Sequence, residues 1–138
     1  MEVEIDIGSG YQSLGTTAFK NVPYALHANR ANNVTGLEKI EESGKIGFRL
    51  IGQPEANYGN IGDNAVDLSF SNDLNSTTNG ATGFHSVAMG LGTISSEIST
   101  TSMGAATKAV GVIATAMGNA TEASGLVSTA MGSQTKAS

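Results

Sequence analysis

The chain has 138 residues, the length of one ordinary domain or of two small pieces. It contains no Cys, which excludes a disulfide framework and a thiolate metal site. A net charge of -5 argues against nucleic acid as a partner, and no apolar run is long enough to insert into a membrane.

The first 36 residues predict a strand followed by a short helical connector. Alternation over Glu2–Ile7 indicates a strand, and Leu14–Thr17 is expected to be irregular. Pro23 followed by Tyr24–Ala28 predicts a short helix with proline in its first turn. We expect this segment to contribute to a cap on the remainder of the chain.

Residues 37–80 predict a capping region. Leu37–Glu41 and Lys45–Ile51 have the pattern of a β-hairpin around Glu42-Ser43-Gly44. Asn72–Gly80 is polar and rich in turn formers, so we expect it to loop out.

Residues 81–138 contain a repeat whose period is 14 residues. Every methionine after Met1 is followed by glycine, and a threonine stands three positions after that glycine. The repeat positions are Met89, Gly90, Thr93, Met103, Gly104, Thr107, Met117, Gly118, Thr121, Met131, Gly132 and Thr135. A flexible Gly/Ser/Thr linker would not hold this phase over four rows. Alternation within each row favours strands, so the repeat predicts an all-β chain, a β-solenoid with two short strands per coil.

The repeat also predicts which side chains point inward. A narrow coil can be filled only by Ala, Ser, Thr and Gly, so Thr107 and Ala109 are expected inside, with Lys108 outside. The other members of that outward column are Ile94, Glu122 and Lys136. The methionines then have no place in the interior, which predicts that several copies bury them against one another.

The phase of the repeat can be extended towards the N-terminus. Ile61-Gly62 lies 28 residues, two periods, before Met89-Gly90. This spacing predicts that a degenerate coil begins near Asn57.

Ser86-Val87-Ala88-Met89-Gly90 resembles the SVAIG motif of YadA-type trimeric autotransporter adhesin heads, and the spacing of Gly111, Ala114, Ala116 and Gly118 is similar too. The resemblance covers about residues 83–138. It implies a left-handed parallel β-roll with 14-residue coils, packed as a homotrimer on the bacterial cell surface. The run LGTTAFKNVPYALHA is similar to segments of secreted bacterial surface or tail-fibre-like proteins. Because the fourth row ends within a coil, we expect further rows to follow, and after them a distal stalk, anchor or chaperone segment.

Few residues have the pattern of a chemical site. His27 and His85 lack partners at metal-ligand spacing. Asp63, Asp67 and Asp73 could suggest calcium, but their spacing fits no known calcium loop, so solvated turn carboxylates are favoured. No nucleophile has a base at recognisable spacing. We therefore expect no catalytic residue, no metal and no cofactor.

The preferred function is a structural and adhesive surface module that attaches to extracellular matrix, glycan or another cell. A phage-tail-like fibre segment is the nearer alternative. An ice-binding solenoid, with its threonine columns exposed as a flat array, is less favoured because charged Lys108, Glu122 and Lys136 stand beside those threonines.

Overall fold

The structure is a computed structural model that describes residues 2–6, 8, 11–16 and 36–138. The chain forms two compact units, residues 1–32 and 33–138. In the first unit, strand β1 (Glu2–Asp6) pairs antiparallel with strand β2 (Tyr11–Thr16). The helix predicted at 24–28, and His27 with it, lies outside the described residues.

Strand β2 corrects one prediction, since residues 14–16 are not irregular but belong to the strand. The register pairs Glu2 with Thr16 and Glu4 with Ser13, so two residues of β2 stand opposite one of β1. This is a β-bulge, and a glycine inside a strand, here Gly15, often marks one. Strand β2 therefore continues through residues 14–16, because the bulge accommodates the extra residue that interrupts the alternation.

The second unit, over residues 36–138, is a β-solenoid of about six turns, which confirms the all-β class. Its elements are β3 (Leu37–Glu42), β4 (Lys45–Leu50), a 3-10 helix (Glu55–Asn57), β5 (Val66–Phe70), β6 (Gly80–Ala81), β7 (Val87–Leu91), β8 (Ile94–Ser95), β9 (Thr101–Ala105), β10 (Lys108–Ala109), β11 (Thr115–Asn119), β12 (Glu122–Ala123), β13 (Thr129–Ser133) and β14 (Lys136–Ala137).

Two sheets run along the solenoid within residues 36–138. The long sheet has the order β13-β11-β9-β7-β5-β4-β3, and the short sheet has the order β14-β12-β10-β8-β6. Coil-to-coil pairing is parallel, with Met103 between Met89 and Met117 and with Met131 beyond. Identical positions of the repeat therefore stack directly on one another.

The predicted hairpin is present as β3 and β4, joined by Ser43-Gly44. Both turn residues have positive φ, 54° and 75°, as a two-residue type I′ turn requires. Strand β4 then pairs in parallel with β5, so the hairpin is continuous with the long sheet. It covers the end of the solenoid that β5 would otherwise expose.

The connection between β5 and β6 explains why the predicted register of the first coil is wrong. Nine residues, 71–79, separate these strands, where two residues separate β7 from β8. Met89 therefore pairs with Leu68, and Ile61-Gly62 is out of phase with the methionines. A coil does occur there, since Gly62 donates its N–H to the carbonyl of Ala81. The predicted loop is present over 72–79, but Gly80 already belongs to β6.

The connection 71–79 is tied down at its base by buried polar side chains. Asn79 Nδ2 donates to Ser71 Oγ at 2.7 Å, and Asn57 Nδ2 donates to the Ser71 carbonyl at 2.8 Å. Asn79, Ser71 and Asn57 are all buried, whereas Leu74 is exposed. These hydrogen bonds hold both ends of the connection 71–79 against the solenoid, and its middle part extends outward.

From β6 onwards the interior is filled by small side chains, as the sequence predicts, whereas the coil before it also buries Ile61, Arg49 and Asp67. Thr107 and Ala109 are fully buried, and Lys108 between them is exposed. Other inward positions are Ala88, Ser102, Ala116 and Ala130 from the long sheet, Ser95 and Ala123 from the short sheet, and Thr93 and Thr121. The hydrogen-bond ladder also continues through the corners, where Ala120 N–H donates to the Ala105 carbonyl at 2.8 Å.

Candidate interaction surface

Over strands β5, β7, β9, β11 and β13 the outward side of the long sheet is uncharged, and we call this part of the sheet the long face. Alternation along each strand directs every second side chain outward. The fifteen outward positions of β5, β7, β9, β11 and β13 are Val66, Leu68, Phe70, Val87, Met89, Leu91, Thr101, Met103, Ala105, Thr115, Met117, Asn119, Thr129, Met131 and Ser133.

The long face consists of three stacked columns. Its central column begins at Leu68 and continues through the four methionines of the repeat. One flanking column begins with Phe70 of β5 and Leu91 of β7, which are each 53% exposed. The long face is most apolar at this end, next to the hairpin. Contiguous exposed apolar patches are a feature by which interaction surfaces are recognised, which makes the long face the candidate here.

A second apolar feature borders the long face, at the turns that lead into β7, β9, β11 and β13. These residues, which we call the corner ridge, are all exposed: Phe84, Ile98, Ile113, Leu126 and Val127. Ile113 and Val127 adopt φ of 59° and 57°, a left-handed conformation that costs a β-branched residue about 1–3 kcal/mol. Their amides are held by hydrogen bonds to Ile98 and Val112 carbonyls of the preceding coil.

The outward side of the short sheet is charged instead. Its column contains Ile94, Lys108, Glu122 and Lys136, as predicted. Lys136 Nζ lies 2.7 Å from Glu122 Oε1, and this hydrogen bond lowers the pKa of Glu122. This side of the solenoid therefore suits contact with water.

Three of the four threonines of the repeat are buried inside the solenoid, and Thr135 in the last coil is half-buried. Thr93, Thr107 and Thr121 are at most 1% exposed. They cannot form the exposed array on which an ice-binding interpretation depends. His85 is exposed and stacks on Phe84 with ring centroids 3.8 Å apart.

A buried ion pair lies where the hairpin meets the first coil. Arg49 is 2% exposed, and its Nε lies 3.5 Å from Oδ2 of the fully buried Asp67. Its other nitrogens reach Glu42 Oε1 at 3.2 Å and the Gly59 carbonyl at 3.1 Å. The guanidinium also stands 4.7 Å from the ring centroid of Tyr58.

This ion pair corrects the interpretation of Asp67 as a solvated turn carboxylate. Arg49 and Asp67 are opposite each other on β4 and β5, and both point inward. Asp63 instead accepts a hydrogen bond from Ile46 N–H at 3.0 Å, and Asp73 is exposed. Among the residues that the structure describes, no group of three His, Asp or Glu side chains is placed to hold a metal ion.

Alternation in the sequence could have identified the ion pair. Arg49 stands between Phe48 and Leu50, and Asp67 stands between Val66 and Leu68. If the apolar neighbours face outward, both charges must face inward, where only a partner of opposite sign makes them stable.

We expect Tyr58→Phe to lower the free energy of unfolding by about 1–3 kcal/mol, because buried polar groups lose their partner. The Tyr58 hydroxyl accepts from Ser71 N–H at 3.0 Å and lies 2.9 Å from the Ser69 carbonyl. Burial raises the pKa of Tyr58 above its ordinary value. The phenol therefore stabilises the fold below pH 10, and that contribution is lost as pH rises through the raised pKa.

The measurement is urea unfolding of wild type and Tyr58→Phe at several pH values between 7 and 11. The difference between the two proteins should shrink at the alkaline end, since only the wild type can ionise at residue 58. A difference that is independent of pH would contradict the assignment.

No protein-family model, curated protein or solved structure matches this chain. Nor does any helix in the described parts of the chain have the length and apolarity needed to cross a membrane. The likeness to YadA-type heads therefore depends on the repeat motif, and the adhesin identity stays a prediction.

Proposed function

We propose that this chain is a structural and adhesive module, a left-handed β-roll with 14-residue coils that assembles as a homotrimer. Three long faces meet around a common axis, and the charged short sheets face water. Such a head would be displayed outside a bacterial cell, where it attaches to matrix, glycan or another cell surface. The observation that carries the proposal is the uncharged long face with its stacked methionines.

The size of the long face favours more than a simple face-to-face dimer. Five strands of five residues cover about 17 by 24 Å, or roughly 400 Å². A standard stable interface buries about 800 Å² on each partner. In a threefold arrangement each chain also contacts two neighbours along its sides, where the corner ridge offers Phe84, Ile98 and Leu126.

The distribution of charge supports the same orientation. Burying an unpaired charge in an interface is costly, and the fifteen outward positions of the long face contain none. Lys108, Glu122 and Lys136 lie on the outward side of the other sheet. Three identical outer surfaces would then be presented together, which strengthens weak attachment through multivalency.

The proposal is tested by light scattering on the wild type and on two variants. The wild type should have three times the chain mass of 14.0 kDa. Met117→Asp should be monomeric, because it would bring three carboxylates together near the axis. The matched control, Lys108→Asp, places the same side chain on the charged outward column and should stay trimeric.

A monomeric wild type with an intact β-sheet circular dichroism spectrum would contradict the trimer. The adhesive role is checked separately with a panel of immobilised matrix proteins and glycans. Binding should be strong for the trimer and weak for the Met117→Asp monomer. If the wild type is a trimer but binds nothing on the panel, the proposed assembly stands and the proposed adhesive role is contradicted.

A further inference from the structure

The four methionines of the repeat form a ladder of thioethers within a single chain. Met89, Met103, Met117 and Met131 pair in register, and neighbouring strands are about 4.8 Å apart. The first three side chains are half-buried, and Met131 is 60% exposed. Four methionine side chains therefore leave the same face of the sheet from adjacent strands.

Apolarity alone does not explain why sulfur stands at all four positions. Leu68 occupies the same column one coil below, so a branched aliphatic side chain fits there. The flanking columns change freely between rows, from Val87 to Thr101 and from Leu91 to Ala105. The central column therefore holds methionine in all four rows, while the columns on either side of it vary between apolar and polar residues.

A row of neutral thioethers has a distinct ligand chemistry. Soft sulfur ligands bind Cu(I), zinc and iron–sulfur clusters, and of these the singly charged Cu(I) best suits neutral thioethers, whereas calcium and magnesium take oxygen ligands. The long face has no carboxylate in the columns beside the methionines. The unbranched methionine side chain has three rotatable bonds, so sulfurs from adjacent coils can converge on one ion.

From this geometry we infer a binding site for a soft monovalent cation, Cu(I), formed by three consecutive methionines of the ladder. The ion enters and leaves as Cu(I), so no electron transfer is involved. All three ligands belong to one chain, so the site does not require the proposed trimer. In that trimer the same methionines face the axis, and we expect the ion to reach them there as well.

The contiguity of the ladder allows a matched test with four single variants. Met103→Leu and Met117→Leu each leave no run of three consecutive methionines. Met89→Leu and Met131→Leu remove the same atom but leave such a run. Leucine conserves apolarity and approximate volume, so all four proteins should fold.

Silver(I), a soft ion that is not oxidised or reduced here, is titrated in chloride-free buffer and followed by native mass spectrometry. Competition with a chromogenic Cu(I) chelator under ascorbate then gives relative affinities. We expect the two inner variants to lose about tenfold or more in affinity, and the two outer variants to stay within about threefold of wild type. X-ray absorption on the Cu(I) complex should show a shell of three sulfur atoms.

Three outcomes would overturn the inference: wild-type binding no stronger than that of the variant with all four methionines replaced by leucine, equal losses in all four single variants, or a first shell of nitrogen or oxygen. The same samples are examined by light scattering. A trimer that binds no soft cation overturns this inference and leaves the proposed function standing, whereas a monomer that binds it does the reverse.

Discussion

Arg49→Met is expected to lower the free energy of unfolding by about 3–5 kcal/mol, because it leaves the Asp67 carboxylate buried without its partner. Asp67 is fully buried, and its Oδ1 already accepts from Ser69 N–H at 3.0 Å and Ser69 Oγ at 2.6 Å. Its Oδ2 faces the Arg49 guanidinium at 3.5 Å. Methionine fills the space of the arginine stem but supplies no positive charge.

Urea unfolding followed by circular dichroism measures this loss. The matched control is Lys45→Met, which removes one positive charge from an exposed position of the same strand and should change stability by no more than about 0.5 kcal/mol. Arg49→Met combined with Asp67→Asn should recover part of the loss, since the buried charge is gone. If Arg49→Met were as mild as Lys45→Met, the ion pair would not hold the hairpin to the first coil.

Gly104→Ala is the second substitution expected to have a large effect, at about 3–5 kcal/mol. Gly104 has a φ of 123°, and a Cβ added there would fall on the carbonyl oxygen of Gly118 in the next coil. The two coils would have to separate, and their ladder would be disrupted.

Gly132→Ala is a matched control because it has similar backbone geometry without the steric collision. The φ of Gly132 is 112°, and the nearest atom to an added Cβ is Thr135 Cγ2 at 3.7 Å. Only the backbone strain remains, at about 1–3 kcal/mol. Thermal unfolding should therefore show a clearly lower Tm for Gly104→Ala than for Gly132→Ala. Equal Tm values would mean that coil-to-coil contact at these glycines does not limit stability.

The solenoid could be predicted from the sequence because residues one repeat period apart lie opposite each other in adjacent coils. A Met-Gly pair that recurs at one interval places identical residues opposite each other, and the paired Met103 and Met117 show this. Inward and outward assignments followed from side-chain volume, so Thr107 and Lys108 were predicted on opposite sides of the coil wall.

The errors arose where residue spacing does not report spatial register. Counting periods of 14 back from Met89 leads to Ile61 in two steps, but the seven additional residues of 71–79 lengthen the first step to 21 residues, so Met89 pairs with Leu68 and Ile61 lies outside the methionine column. Extra residues at a corner change the spacing in the sequence without changing which strands pair, so the period of the repeat cannot show them. Asp67 was misjudged for another reason: the alternation around it places its side chain inward, but a buried carboxylate is stable only with its partner Arg49, a residue of a different strand.

The connection 71–79 has a consequence for protein engineering. Seven extra residues are accommodated between β5 and β6 while β5 still pairs in register with β7 over its whole length. The polar base formed by Asn57, Ser71 and Asn79 separates the outer part of the connection from the coil below it. This corner is thus a suitable site for inserting a foreign peptide, which the solenoid would display without changes to its strand pairing.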